Sequence, residues 1–339
     1  MITPTTDAPV LVSIRQTTGV LELNRPKALN SLNHDMITII AEALESWVAD
    51  DRITQVLIVS HSPKAFCSGG DVRFAREGII NGQQADIDAF FAEEYDLNHV
   101  ISNFPKPYIA LIDGIVMGGG SGISLHGSHR IITDKAWLSM PEMAIGYITD
   151  VGMSYLLQRL PGANPAIGAF IGLTGYRLTP ADLIHTGAAT HMVSDAAGFA
   201  ESVIAEGIEA AIVEYALDSQ SQSRLAELAK DINATFDGSS WERIDAALAT
   251  HPNHEFRELV QELMSASSPS AVIATAELFA ANRQAKDLRA GLDNERRLGE
   301  LVRRHPDFVE GVRAVLVDKT RDPHFRPAQD AEFFRQVLS

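Results

Sequence analysis

Asp113-Gly114-Ile115-Val116-Met117-Gly118-Gly119-Gly120-Ser121-Gly122 is the stretch on which the fold turns, and it has an earlier companion in Lys64-Ala65-Phe66-Cys67-Ser68-Gly69-Gly70-Asp71. Each follows a strand signal and precedes a helix signal. Glycines at such a junction let the main chain bend sharply and let a ligand approach it closely. N–H groups without partners at a helix start can point at negative charge. Two such turns side by side can offer two donors to one carbonyl oxygen. That is an oxyanion hole, and losing one of its donors typically costs ~10²–10³ in rate. Other glycine patterns do not fit. The dinucleotide pattern G-x-G-x-x-G lacks its third glycine counted from Gly118 or Gly120. The phosphate-loop Gly-Lys-Ser/Thr and the serine elbow G-x-S-x-G are absent.

Outward from these turns, strand and helix signals alternate. Val10 to Ile14 and Val20 to Leu23 are β-branched runs around the Thr-Thr-Gly turn at 17–19, which predicts a hairpin. Asn33 is placed to cap a helix with Met36, Ile39, Ile40, Ala43, Leu44, Trp47 and Val48 on its apolar face. Gln55 to Ser60, Tyr108 to Asp113 and His129 to Thr133 read as strands, and 84–102 as a helix. Such alternation predicts parallel strands with helices packed on the sheet. After about residue 200 strand signals end. Segments 197–217, 221–236, 239–249, 255–265, 269–289, 292–304 and 307–317 read as helices. The expected division is therefore 1–200 and 201–339.

The chain has 339 residues, 45% hydrophobic and 21% charged, which suits a globular protein of one large or two ordinary domains. Its one cysteine, Cys67, excludes an intrachain disulfide and fits a reducing compartment. A net charge of −16 makes it a poor general binder of nucleic acid or anionic membrane. No apolar run approaches ~18 residues, so no transmembrane helix is expected. The N-terminal Met1-to-Arg15 segment shows no signal- or transit-peptide pattern, and the cytoplasm is the expected location. Residues 201–262 hold 4 basic against 13 acidic side chains, whereas 283–326 hold 11 basic against 8 acidic. These read either as solvated helix faces or as a basic stretch that helps hold an anionic ligand.

Asn24-Arg25-Pro26-Lys27-Ala28-Leu29-Asn30-Ser31-Leu32, the Phe66-to-Asp71 run and Gly118-Gly119-Gly120 resemble the crotonase (enoyl-CoA hydratase/isomerase) superfamily. The resemblance covers about residues 10–200 and resumes at Asp307-Phe308-Val309-Glu310-Gly311-Val312-Arg313-Ala314. It implies an α/β fold, a crotonase-like spiral of ββα units with a helical C-terminal region. It implies an acyl-CoA substrate and an oxyanion held by the N–H groups of Gly70 and Gly119, with Gly69 and Gly118 beside them. No metal or separate cofactor is called for, because CoA is part of the substrate. Trimers, often paired into hexamers, are usual in the superfamily, so a homo-oligomer is expected.

The carboxylates narrow the chemistry. A hydratase of this superfamily uses two glutamates, one of them three residues after the middle glycine of the Gly-Gly-Gly turn. Here that position is Gly122, which cannot transfer a proton. The second glutamate is present as Glu142, in Met140-Pro141-Glu142, and Asp150 follows in Asp150-Val151-Gly152. Both lie in mainly apolar sequence, where desolvation raises a carboxyl pKa; the plainer readings are a surface residue and a helix cap. Glu94 shares the spacing of Phe90, Leu97 and Ile101, so it falls on an apolar helix face while Glu93 points away. The set Glu93-Glu94-Tyr95, Lys106-Pro107-Tyr108, Met117-Gly118-Gly119-Gly120, Pro141-Glu142, Asp150-Val151-Gly152 and the Gly311-to-Lys319 run resembles the 3-hydroxyisobutyryl-CoA hydrolase branch. That resemblance implies Glu94, Gly119, Glu142 and Asp150 as substrate-contacting or catalytic positions. It also implies thioester hydrolysis in valine breakdown, with Glu142 as nucleophile or as general base. The branch usually has Phe-Pro before Asp-Val-Gly. Ile148-Thr149 here, with Met153 after it, imply a differently shaped acyl pocket.

A one-glutamate hydratase or isomerase is the competing enzymatic reading. A non-catalytic acyl-CoA-binding protein is the competing reading of another class. Arg25, Lys27 and Lys64 lie at family positions near the CoA cleft and read as substrate-binding contacts to phosphate or as ordinary surface cations. Lys319 and Arg321 are weaker candidates of the same kind. Cys67 has no His partner in sequence and reads as structural. The pairs His126/His129 and His251/His254 lack zinc-site companions.

Overall fold

A computed structural model describes residues 7–217, 222–237 and 240–338. The predicted helix starts at 221 and 239, and residues 1–6 of the N-terminal segment, lie outside the described residues. Two compact units emerge, and neither is continuous in sequence: Met1–Gly70 with Asp96–Leu138 and Leu178–Ser223, and Asp71–Tyr95 with Ser139–Arg177 and Arg224–Ser339. The 1–200/201–339 division marks a change in sequence character; contacts group the chain otherwise.

The first unit is built on strands β1 (Val10–Arg15), β2 (Thr18–Leu23), β3 (Gln55–Ser60), β4 (Ala65–Cys67), β5 (Tyr108–Ile112), β6 (Ile115–Met117), β7 (His129–Ile132), β8 (Trp137–Ser139), β9 (His191–Val193) and β10 (Ala216–Leu217). One sheet has the order β1-β2-β3-β5-β7-β9-β10, and a small one has β4-β6-β8. β1 and β2 form the expected antiparallel hairpin, and β2-β3-β5-β7-β9 run parallel. Register places Val20 against Leu57 and Leu57 against Ile109. Those side chains bury one face of the sheet against Phe199, Val203, Ile204, Ile208 and Ala211. Asn33 caps His34–Val48 by accepting the Met36 N–H. The buried stripe of that helix is Met36, Ile37, Ile40, Ala43, Leu44 and Trp47. Ile37 thus replaces Ile39 on the core side, and Val48, the last residue of the helix, is exposed.

The second unit is helical. Pro165–Thr174, capped by Asn164, is buried from Ala166 to Thr174, and its Phe170 packs against Phe236, Phe256 and Tyr176. Around it lie Arg224–Thr235, Trp241–Thr250, His254–Met264, Pro269–Gln284 and Leu288–Arg303. Three predicted helices change shape. The 197–217 segment breaks at Gly207 (φ 92°) into Ala196–Glu206 and Ile208–Tyr215, then ends in β10. The 269–289 segment stops at Gln284. The 307–317 segment is Pro306–Val312 followed by a π turn at Arg313–Val317. Among the described residues no helix is long and apolar enough to cross a membrane.

Candidate active site

The two glycine turns meet in the first unit. β4 and β6 pair in parallel, Ala65 with Ile115 and Cys67 with Val116, so the turns that follow them leave the same sheet end. Gly69 (φ 105°) and Gly118 (φ 45°) occupy backbone conformations that favour glycine. A Cβ on Gly69 would stand 3.2 Å from the Met117 oxygen and 3.7 Å from the Gly119 nitrogen. A Cβ on Gly120 would overlap the Cys67 carbonyl. Gly119 opens the helix Gly119–Leu125, so its N–H has no acceptor within that helix.

The Asn24-to-Leu32 loop braces the first turn. Asn30, in the left-handed region, donates from Nδ2 to Ser60 Oγ (2.8 Å) and to the Phe66 carbonyl (2.9 Å), and its Oδ1 accepts from the Arg25 N–H (2.8 Å). Ser68 N–H donates to the Leu29 carbonyl and Leu32 N–H to the Gly69 carbonyl. The Arg25 guanidinium donates to the Ser31 carbonyl. Lys27, Lys64, Lys319 and Arg321 are exposed. Cys67 is buried with its thiol on the Asn30 carbonyl at 3.0 Å, a structural placement. His251 receives the Asn253 N–H and packs on Phe256.

Gly122, where a hydratase glutamate would stand, is closed off. A Cβ there would lie 2.6 Å from Asn98 Nδ2. Asn98 is fully buried in the helix Gln84–Ser102, and neither Nδ2 nor Oδ1 has a hydrogen-bond partner. Sequence spacing passes over it because an asparagine on a helix carries no chemical signature of its own.

The acids gather in the second unit. Glu142 begins a short 3₁₀ turn, Glu142–Ile145, that Gly146 ends in the left-handed conformation. It is buried, with Oε2 lacking a hydrogen-bond partner. Burial first, then the Asp150 charge, holds its carboxyl well above the ordinary carboxylate range. Asp150 Oδ2 accepts from the Tyr95 hydroxyl at 2.7 Å. Burial raises Asp150 to about 6, opposed by that hydrogen bond and by the Arg303 charge. Arg303 is fully buried. It donates to the Tyr147 hydroxyl (2.6 Å) and Asp88 (2.8 Å), lies 4.1 Å over the Phe91 ring, and Tyr147 in turn sits 3.2 Å from the Tyr95 hydroxyl. Glu94 is buried, with Oε1 lacking a hydrogen-bond partner, as its helix spacing predicts; burial and Asp150 push it to about 8. Ile148, Thr149 and Met153 are buried next in the chain, with Thr149 Oγ1 tied to the Gly172 carbonyl at 2.9 Å.

One acid here goes beyond the sequence-derived set. Glu295 is buried, burial raises it to about 8, and it accepts from Gly152 N–H at 2.7 Å and Ser154 Oγ at 2.5 Å. The signal was available. In Leu288–Arg303 the buried positions include Gly291, Leu292, Glu295, Leu298, Gly299 and Val302, so the spacing argument that singles out Glu94 applies equally to Glu295. Arg303, four positions beyond Gly299, is buried on the same helix, whereas Tyr147 lies outside the helices and strands and carries no such mark.

A family model described as enoyl-CoA hydratase/isomerase matches residues 18–338. Among curated relatives, the mitochondrial 3-hydroxyisobutyryl-CoA hydrolase of Homo sapiens is 37% identical over 342 residues, covering 97% of this chain and 87% of that protein. The Rattus norvegicus protein of the same name is 38% identical, covering 96% of this chain and 86% of its own length. Among solved structures, a carnitinyl-CoA dehydratase from Mycobacterium thermoresistibile superposes with a TM-score of 0.88 at 38% identity, covering 96% of this chain and 94% of that one. An enoyl-CoA hydratase from Rhodobacter sphaeroides gives 0.87 at 33% identity, covering 98% of this chain and 97% of that one. With these matches running nearly end to end over the α/β core and the helical region, the chain belongs to the enoyl-CoA hydratase/isomerase family.

Proposed function

We propose that the protein is an acyl-CoA thioester hydrolase whose first substrate is 3-hydroxyisobutyryl-CoA, giving 3-hydroxyisobutyrate and CoA. The observation that carries the reading is Glu142, a buried acid with one oxygen lacking a hydrogen-bond partner, in a chain whose other hydratase position is Gly122 packed against Asn98. The relatives named as hydrolases support it.

In the proposed reaction the Gly70 and Gly119 N–H groups hold the thioester oxygen as the carbonyl becomes tetrahedral. Glu142 removes a proton from water while the water oxygen bonds to the carbonyl carbon. The C–S bond then breaks, and the departing sulfur takes the proton back from Glu142, so that CoA leaves as the thiol and the carboxylate is restored. Alternatively, the Glu142 carboxylate itself bonds to the carbon, expels the thiolate and forms an anhydride, which water opens to return Glu142. Burial raises its proton affinity, so in its ionised form it is a stronger base than an exposed carboxylate. Asp150, held by Tyr95, orients the substrate hydroxyl or the water, and Glu94 closes the polar end of the pocket. Gly69 and Gly118 shape the acyl-CoA site, and Lys27 and Lys64 meet the CoA phosphates. These steps use no cofactor beyond the substrate's own CoA.

Release of free thiol from 3-hydroxyisobutyryl-CoA tests the reading. Glu142→Gln should lose on the order of 10³-fold or more in kcat while still binding the thioester. CoA release at the wild-type rate would remove Glu142 from the mechanism. The solved relatives, a carnitinyl-CoA dehydratase and an enoyl-CoA hydratase, favour a second reading, hydration or isomerisation with one carboxylate. Loss of crotonyl-CoA absorbance with the thioester intact would establish it instead. For location we propose the cytoplasm, since one cysteine fits a reducing space; the relatives' names place them in mitochondria, and cell fractionation separates the two. Light scattering tests the proposed homo-oligomer.

A further inference from the structure

The turn that carries Asp150 is held in an unfavourable backbone conformation. Val151 has φ 52° and Gly152 has φ 78°. Glycine takes that region freely, whereas a β-branched residue is a rare occupant of it. Such a conformation persists only where its surroundings impose it.

The surroundings are specific. Glu295 Oε2 accepts the Gly152 N–H at 2.7 Å, and Oε1 accepts the Ser154 hydroxyl at 2.5 Å. Ser154 Oγ also accepts from Asn282 Nδ2 at 2.6 Å. Asn282 is held in turn by Asn294, whose Nδ2 donates to Asn282 Oδ1 at 2.9 Å. Glu295, Ser154 and Asn282 are all fully buried. Glu295 therefore takes the Gly152 N–H on one oxygen and meets the Ser154 hydroxyl with the other, and a glutamine keeps the acceptor for Gly152. No cation pairs with Glu295 among the described residues, so these two bonds are what offset burying it. On the other side of the turn, the Tyr95 hydroxyl grips the Asp150 carboxylate. One set of groups holds the side chain and the other holds the main chain.

We infer that Glu295, backed by Ser154 and Asn282, is a positioning residue that clamps the Asp150-Val151-Gly152 turn and so sets where the Asp150 carboxylate stands during thioester hydrolysis. This rests on the proposed role of Asp150. It adds that the distant helix Leu288–Arg303 is part of the catalytic apparatus through its hold on the backbone.

The test measures kcat and KM with 3-hydroxyisobutyryl-CoA for Glu295→Gln and Glu295→Ala, each alone and in an Asp150→Asn background. Glu295→Ala should lose on the order of 100-fold in kcat with KM nearly unchanged, the size expected of a misplaced group. Glu295→Gln, which keeps the acceptor for Gly152, should recover most of that loss. In the Asp150→Asn background Glu295→Ala should cost almost nothing more, because the group it positions is gone. Adding Val151→Gly to Glu295→Ala should restore much of the activity, since glycine holds the turn without the clamp. Should Glu295→Ala fail to fold, Ser154→Ala removes one of the two bonds and should reduce kcat in the same Asp150-dependent way. Wild-type kcat in Glu295→Ala, or an equal loss in both backgrounds, would overturn the inference. Wild-type kcat in Asp150→Asn alone would instead sink the reading of Asp150, which is a distinguishable result.

Discussion

Asp150 shows how neighbours decide the state of a single side chain. Burial raises its proton affinity, and the Tyr95 hydroxyl and the Arg303 charge oppose that rise, leaving it at about 6. Arg303 reaches it through Tyr147 and Tyr95, with Asp88 as the guanidinium's own partner. Removing the phenol removes a donor that stabilises the charged form, so Tyr95→Phe should move Asp150 upward from about 6. If ionised Asp150 orients substrate, the acidic limb of the kcat–pH profile should shift to higher pH in Tyr95→Phe. A limb that stays in place would detach Asp150 from that role. Glu94, by contrast, has Asp150 as a like-charged neighbour and stays protonated to about 8, which leaves it able to donate a hydrogen bond at neutral pH.

The glycine turns act as elements. Their chemistry needs two strands, β4 and β6, close enough that the helix Gly119–Leu125 packs directly on the Cys67 carbonyl, and Gly120 is what permits that approach. An alanine at 120 forces the helix start away from β4. Gly120→Ala should cost about 2 kcal/mol of stability, a typical overpacking penalty, read by chemical denaturation. It should also lower kcat, because the Gly119 amide moves with the helix. Full stability in Gly120→Ala would show that the strand and helix have room to spare. The helix Gln84–Ser102 is the second instructive element. Its face is wider than the spacing of Phe90, Glu94, Leu97 and Ile101 implies, since Phe91, Tyr95 and Asn98 are buried too. A helix with so wide a buried face buries polar residues that a single amphipathic stripe would leave in water.

For the whole molecule, the buried acids set the pH response. Glu94, Glu142, Asp150 and Glu295 all have folded-state values above those of an unfolded chain. Between the unfolded and folded values the folded state binds more protons, so stability falls as pH rises through that window. Asp50 and Glu310 are shifted the other way, to about 2, by Arg52 and Arg313, so both are ionised in the folded and the unfolded chain over that window and leave its slope unchanged. The thermal midpoint should therefore decline from about pH 5 to about pH 8, and Glu295→Gln should flatten that slope. A midpoint that climbs across the same interval would contradict these assignments. The net charge of −16 adds to the same trend, because self-repulsion grows as more acids ionise.

Local chemistry was enough to read the hairpin, the parallel strands, the Asn33 cap, the paired glycine turns and the burial of Glu94, because each depends on residues within a few positions of one another. Glu142 and Asp150 stood out through their apolar neighbourhood and the family pattern around them. Their working environment could not be read that way. Tyr95 meets Asp150 across 55 positions, Glu295 meets Gly152 across 143 and Arg303 meets Tyr147 across 156. The closure of Gly122 by Asn98 and the assembly of each unit from separate stretches of sequence are equally long-range. Helical and strand periods report which way a side chain faces, not what it will face. Proton affinity and backbone strain at this site are set by those distant partners, so they exist only once the chain has folded.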